Sequence, residues 1–305
     1  MVTHAEMTET TRWDEISEIW RGNVWLLVLA GWFAGILTVQ GFQMLGADAF
    51  GFLNNLVPEA VGIVFTVVIL ERFAERREQE REREEIRQRL IREMGSRDNA
   101  TARRAAREAN ERGMVEDGSL RRAILTEASM EEVDLSGGDF ESASLWLADL
   151  SRARLARANF ENASLERTEL DDAFLYRANL KNTFLQEATL ENADLDEANL
   201  TGAHLREANL EKANLQDATL YGAFLYRANL LNAYLNGAKF DEKTVLPDAK
   251  IIGRDEHVAP VYDKYWTADT DMKRYTDPTH RNFWQPDYLK RGYRGRKPRW
   301  LEQKS

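Results

Sequence analysis

The stretch Ala198–Leu220, ANLTGAHLREANLEKANLQDATL, places Leu at 200, 205, 210, 215 and 220 and Ala two residues before each of them. The spacing extends outward both ways. From Leu120 to Phe240 the 25 positions at five-residue intervals hold 21 Leu, three Phe (Phe140, Phe160, Phe240) and Met130, and the residue two earlier is Ala in 20 of them. So long a run at one fixed period is the signature of a repeat architecture. Five steps turn an α-helix by about 500°, and an odd number of steps flips a strand's face, so neither regular structure keeps these Leu on one side. The chain must therefore turn a corner inside every repeat. Leu and the small residue before it share the inner face of a short extended segment, and the remaining positions, rich in Asn, Asp, Glu and Arg, face water.

These strings resemble the pentapeptide-repeat family, whose pattern is A(D/N)LXX. The resemblance implies a β-solenoid, a right-handed quadrilateral β-helix of pentapeptide repeats in which four repeats make one square coil. Over 116–240 that gives about six coils, near 30 Å long at roughly 4.8 Å per coil. With four repeats to the coil, Phe140, Phe160 and Phe240 fall in one inner column.

The chain has 305 residues and a formal net charge of −10. Between Glu116 and Phe240 there are 22 acidic and 12 basic residues, so the acidity belongs to the repeat and the rest of the chain is balanced. The absence of cysteine excludes disulfide staples, thiol nucleophiles and Cys-ligated zinc.

Residues 1–22 read as a cytoplasmic leader and 23–73 as a two-helix transmembrane hairpin. No charge falls between Arg21 and Asp48, and VWLLVLAGWFAGILTVQGFQML (Val24–Leu45) is long enough to span a bilayer. A second apolar run, LVPEAVGIVFTVVIL (Leu56–Leu70), is extended by Phe50, Phe52, Leu53 and Phe73. Pro58 suits the first turn of a helix, and Glu59 would sit at its positive end. Arg12 and Arg21 precede the first run, the connecting loop carries no Lys or Arg, and eight Arg lie between Arg72 and Arg92. The positive-inside rule then places both termini and the solenoid in the cytoplasm of a multi-pass inner-membrane protein. Ala47-Asp48-Ala49 also has the look of a signal-peptide cleavage site, but the leader is acidic and the run too long. Gly31 and Gly35 form a GxxxG spacing that lets membrane helices pack closely, in a homo-oligomer for instance.

Residues 74–115 read as a helical stalk and N-terminal cap. ERFAERREQEREREEIRQRLIREM (Glu71–Met94) continues the second apolar helix with Glu and Arg at mutually stabilising spacings. Ile86, Leu90 and Met94 form a short stripe suited to a dimer seam or to the end of the solenoid. Gly95 interrupts, and a second helix closes at Gly113. Residues 241–305 read as a C-terminal cap and basic tail: Trp266, Tyr275, Phe283, Trp284 and Tyr288 supply aromatic packing over the last coil, and Lys290–Ser305 carries seven Lys or Arg against one Glu. That tail suits a solvated segment, or contact with anionic lipid headgroups. The hairpin, the Glu/Arg stalk, GSRDNATARRAAREANERG (Gly95–Gly113), TVLPDA (Thr244–Ala249) and WTADTDMKRYTDP (Trp266–Pro278) resemble a membrane-anchored bacterial subgroup of the family.

Catalytic chemistry finds no footing. His4, His204, His257 and His280 have no ligand spacing, and Asp263, Asp269 and Asp271 lack the glycine and terminal Glu of a calcium loop. No phosphate loop or nucleophile elbow appears, so the expectation is a protein without enzyme activity, cofactor or metal. What remains is surface. Folding the repeat at four repeats per coil gives one face an acidic strip of Glu131, Glu132, Asp149, Glu169, Asp171, Asp172, Glu191 and Glu211, against Arg152 and Lys212. The adjoining face carries Trp146, Leu147, Phe184, Phe224 and Tyr226 as a candidate partner face. The function expected is a membrane-anchored, non-catalytic scaffold for protein-protein interaction, its protein partner unnamed by the sequence. Direct nucleic-acid binding is not expected. Two other readings are an acidic mimic of DNA acting on a DNA-binding protein such as gyrase, which the family resemblance suggests, and a structural homo-oligomer.

Overall fold

The computed structural model describes residues 47–253, 261–290, 298 and 301, with backbone alone for 47–64, 251–253 and 261. They fall in two compact units, Met1–Glu82 and Arg83–Ser305. In the first unit the described part is helical and belongs to α1, Ala47–Met94. Phe65 and Leu70 on this helix are 58% and 60% exposed. The transmembrane hairpin expected over 23–73 is not supported. Its first run, with Gly31 and Gly35, lies outside the described residues, and among the described residues no helix is long and apolar enough to cross a membrane. Past Leu70 the sequence passes at once to Glu71, Arg72 and Glu75, where helix propensity, not apolar surface, carries the helix on.

In the second unit the five-residue register is the fold. From Leu120 onward the N–H two residues before each inner Leu, Phe or Met donates to the carbonyl of the preceding inner residue, as from Ala123 to Leu120 at 3.1 Å. The third residue of that turn has φ near +58°: Arg122, Glu127, Glu132 and so on through Asn232, with Gly at 137, 202, 222 and 237. A positive φ at this position is the mark of a type II turn, and it supplies the corner that the period demands. Each side of the square is then held to the next coil. Leu125 N–H donates to the Ser144 carbonyl at 2.8 Å, and Ser144 N–H returns to Ala123 at 2.9 Å. The bridges are single residues one coil apart in sequence (Ser144 to Ser164, Asn159 to Asn179), so the coils are tied by parallel β-bridges with no longer strand inside them.

The inner positions from Leu120 to Leu230 are buried, with Leu235, Ala238 and Phe240 at the end of the last coil only partly so, and Ala is the residue that lets the walls approach. Where Thr replaces it, the hydroxyl needs a partner in the apolar interior. Thr168 donates to the Leu145 carbonyl at 2.7 Å, and Thr183 to that of Phe160 at 2.8 Å. Gly138 has a different origin, since a Cβ there would lie 2.5 Å from the Phe140 ring. Outside, Asn side chains stack as a ladder in which Asn159 donates to Asp139, Asn179 to Asn159 and Asn199 to Asn179, at 3.0, 2.8 and 3.2 Å.

A solenoid ends in bare apolar coils unless something covers them. At the N-terminal end the last turns of α1 and the helix α2, Asn99–Glu111, do so. Leu90, Ile91 and Met94 are buried in the solenoid core with Ala102, Ala105, Ala106 and Ala109, and Ile86 packs against them. The stripe thus serves the cap, not a dimer seam. Asp98 caps α2 through the Thr101 N–H at 3.0 Å, and Gly113 closes it: its N–H reaches Asn110 and that of Met114 reaches Ala109, the Schellman pattern. At the C-terminal end Trp266 stacks on Phe240 at 6.0 Å, and Trp284 meets Tyr275 edge-on at 5.8 Å. Buried beneath is Asp248, which accepts from Lys264 (2.6 Å), Arg274 (2.9 Å) and Tyr275 (2.7 Å). A short hairpin, β1 (Ile251–Gly253) with β2 (Val261–Tyr262), lies in this cap.

Candidate protein-interaction faces

Each outer face of the solenoid is two columns of side chains, one on either side of the inner Leu. On the face of Leu145, Leu165, Leu185, Leu205 and Leu225, the first column runs Ile124, Ser144, Ser164, Phe184, His204, Phe224, as the bridges join them. Phe184 stacks on His204 with ring centroids 5.0 Å apart, and His204 on Phe224 at 4.8 Å. Burial pushes the His204 imidazole below the ordinary histidine range, more than the nearby Glu166 carboxylate raises it.

The five residues expected to form one exposed cluster are divided by the structure. Phe224 and Tyr226 lie beneath Tyr262, whose ring is 6.3 Å from the first and 5.4 Å from the second, and they pack on Val245 and Ala249. The tail claims them because they sit on the last coil, where apolar surface needs covering. Phe184 stays 39% exposed. Trp146 and Leu147 are half-buried, and on the coil between them and Phe184 the face carries Ser164 and Glu166. Leu147 is the one apolar side chain among the described left-handed corners. Sequence reasoning passed over His204, although its place midway between Phe184 and Phe224 put it in their column. It also passed over Ile124, 74% exposed, and Phe174 and Tyr234, 52% and 60% exposed on the opposite face.

On the acidic strip, basic side chains engage both ends. Arg152 pairs with Glu131 and, at 3.2 Å, with Glu132. Arg103 reaches Glu132 from α2 at 3.3 Å, a contact that no repeat register announces. Lys212 bridges Glu191 at 3.3 Å and Glu211 at 3.4 Å. In the middle, Asp149 accepts the Ser151 N–H at 2.9 Å, and Asp171 accepts that of Glu191 at 2.8 Å. Asp172 is exposed. Among the described residues no cluster of His, Asp and Glu is arranged to hold a metal ion. The basic tail lies outside the described residues apart from Lys290, Pro298 and Leu301.

Square coils, corners every five residues and a sealed apolar lumen define a pentapeptide β-solenoid. The family model for pentapeptide repeats matches eight copies, over residues 116–146, 148–186, 175–211, 185–220 and 208–242. Residues 116–242 of this chain belong to the pentapeptide-repeat family, and the solenoid is a right-handed β-helix. Among solved structures, the chain is similar to a pentapeptide repeat protein from the Arabidopsis thaliana thylakoid lumen, with 30% identity over 30% of this chain and 66% of that one and a TM-score of 0.27. It is also similar to one from the cyanobacterium Cyanothece 51142, with 41% identity over 32% and 63% of the two chains and a TM-score of 0.19. The chain thus spans somewhat less than two thirds of the length of these two proteins. Full-length QnrB1, a plasmid-mediated fluoroquinolone resistance protein, shares 15% identity over 37% and 79%, with a TM-score of 0.20. Among the curated proteins there is no match.

Proposed function

We propose that this chain is a non-catalytic scaffold, attached to the inner membrane through residues 23–73 with both termini cytoplasmic, whose solenoid recruits a protein partner through the aromatic face. The observation that carries the reading is Phe184, a large apolar side chain kept in water on a wall whose backbone is pinned to the coils on both sides. A rigid apolar surface loses little freedom on binding, which is what a recruitment face needs. The two apolar runs before Glu71 and the Arg excess beyond them support attachment to the bilayer.

The second reading, an acidic mimic of DNA that occupies a DNA-binding protein such as gyrase, draws on Asp149, Glu169, Asp171 and Asp172. Against it, Arg103, Arg152 and Lys212 neutralise both ends of that strip. Capture of partners from native membranes separates the two readings. Phe184→Ser with Trp146→Ala is expected to abolish capture, and neutralising Glu169, Asp171 and Asp172 to leave it intact. Removal of residues 1–70 is expected to release the protein from the membrane fraction.

A further inference from the structure

The aromatic column continues beyond the part that the described residues of the chain cover. Rings of Phe184, His204 and Phe224 repeat one per coil, with planes tilted by 26° and 18°. For the last step the chain supplies its own occupant. The segment leading from Tyr262 runs beside the final half-coil, with Tyr265 bridged antiparallel to Val245 and the Trp266 N–H donating to the Thr244 carbonyl at 2.8 Å. From there Tyr262 lays its ring across Phe224 and Tyr226, at separations typical of favourable tilted aromatic pairs. One and two coils earlier the same ladder offers His204 and Phe184, and among the described residues no ring from the tail stacks on either.

The second column of this face reads Glu166, Gln186, Arg206 and then Tyr226. Arg206 is exposed, and its carboxylate neighbour Glu207 stands 3.9 Å away while also facing Arg227 at 3.4 Å. A guanidinium so weakly engaged at the edge of a ring ladder favours a ligand that brings an aromatic ring and a carboxylate together.

We propose that the step Phe184–His204, which the described residues leave open, binds an extended segment of a partner protein carrying an aromatic residue beside an acidic one, its ring laid as Tyr262 is laid over Phe224 and Tyr226. This rests on the scaffold reading above and names the partner's chemistry. The interface already made by Tyr262 shows the mode, and Arg206 selects the sign of charge.

The probe is the blocked hexapeptide VYDKYW, the sequence of Val261–Trp266. It is titrated into the intact chain while the ring-proton NMR signals of His204, assigned with His204→Gln, are followed. A saturable shift of those signals is expected. Phe184→Ser should remove it; Ser144 and Ser164 occupy the same column, so the coil tolerates serine there. Arg206→Gln should weaken binding by roughly 1.4-fold to fivefold, the range of an exposed ion pair. The peptide VADKYW, lacking the first tyrosine, should give no shift. No saturable shift with VYDKYW, or one that survives Phe184→Ser, would overturn the proposal. If the partner is captured through Phe184, yet VYDKYW does not compete and Arg206→Gln captures equally well, the scaffold reading stands and this assignment falls. Capture undiminished in Phe184→Ser with Trp146→Ala removes both.

Discussion

Phe140 and Phe160 stack face to face inside the solenoid, with ring centroids 5.1 Å apart and planes within 11°. They stand four repeats apart in sequence, so four repeats close one coil and every inner side chain rests on its counterpart in the next. Leu175, fully buried between Leu155 and Leu195 in that sense, should therefore be costly to truncate. Leu175→Ala is expected to lose about 2–5 kcal/mol. Glu191→Ala, on an outer face and paired with Lys212, should stay within about 0.5 kcal/mol. Denaturant unfolding of both variants checks the register.

The C-terminal cap should carry an acid-sensitive element. Burial pushes the Asp248 carboxyl up, but hydrogen bonds from Lys264 and Tyr275 and the charges of Arg274 and Lys264 outweigh it and hold the group below the ordinary carboxylate range. The folded value thus lies below the unfolded one, about 3.9. Its stabilisation is complete above that unfolded value and is lost as pH falls through the folded value. Asp248→Asn should lower the unfolding midpoint at neutral pH and flatten its fall below about pH 4. A variant whose acid limb matches that of the native chain would remove Asp248 from this role.

His204 should titrate below the ordinary histidine value of about 6.5, because its ring lies between Phe184 and Phe224. Phe184→Ser opens one side to water and should move that value upward. Ring-proton chemical shifts followed against pH measure both.

Membrane topology can be read with single cysteines in this cysteine-free chain. Ala49→Cys, in the first turn of α1 between the two apolar runs, is expected to react with an impermeant thiol reagent in whole cells. Ser305→Cys should react only after the cells are opened. Labelling at 305 in unbroken cells would contradict cytoplasmic termini.

The solenoid was legible because its physics is periodic. One substitution pattern, Leu with Ala two before it, reports the inner wall, the corner and the coil length together. The N-terminal cap was half legible: Gly95, Gly113 and the stripe Ile86, Leu90 and Met94 marked its pieces, but so short a stripe does not say which apolar surface it meets. The candidate face was legible only as columns. Periodicity placed Phe184 and Phe224 one above the other with His204 between them, yet it held no sign that Tyr262, beyond the repeat, folds back over Phe224 and Tyr226. The pairing of Arg103 with Glu132 was hidden for the same reason, since a cap obeys no period.

The aromatic face, not the acidic strip, is the surface proposed to hold a protein partner. A photo-crosslinking residue placed at Gln186, beside Phe184, and another at Asp172, the exposed carboxylate of the strip, test it in living cells. A discrete adduct with another protein from position 186 and none from position 172 is the predicted result. An adduct from position 172 alone would contradict it.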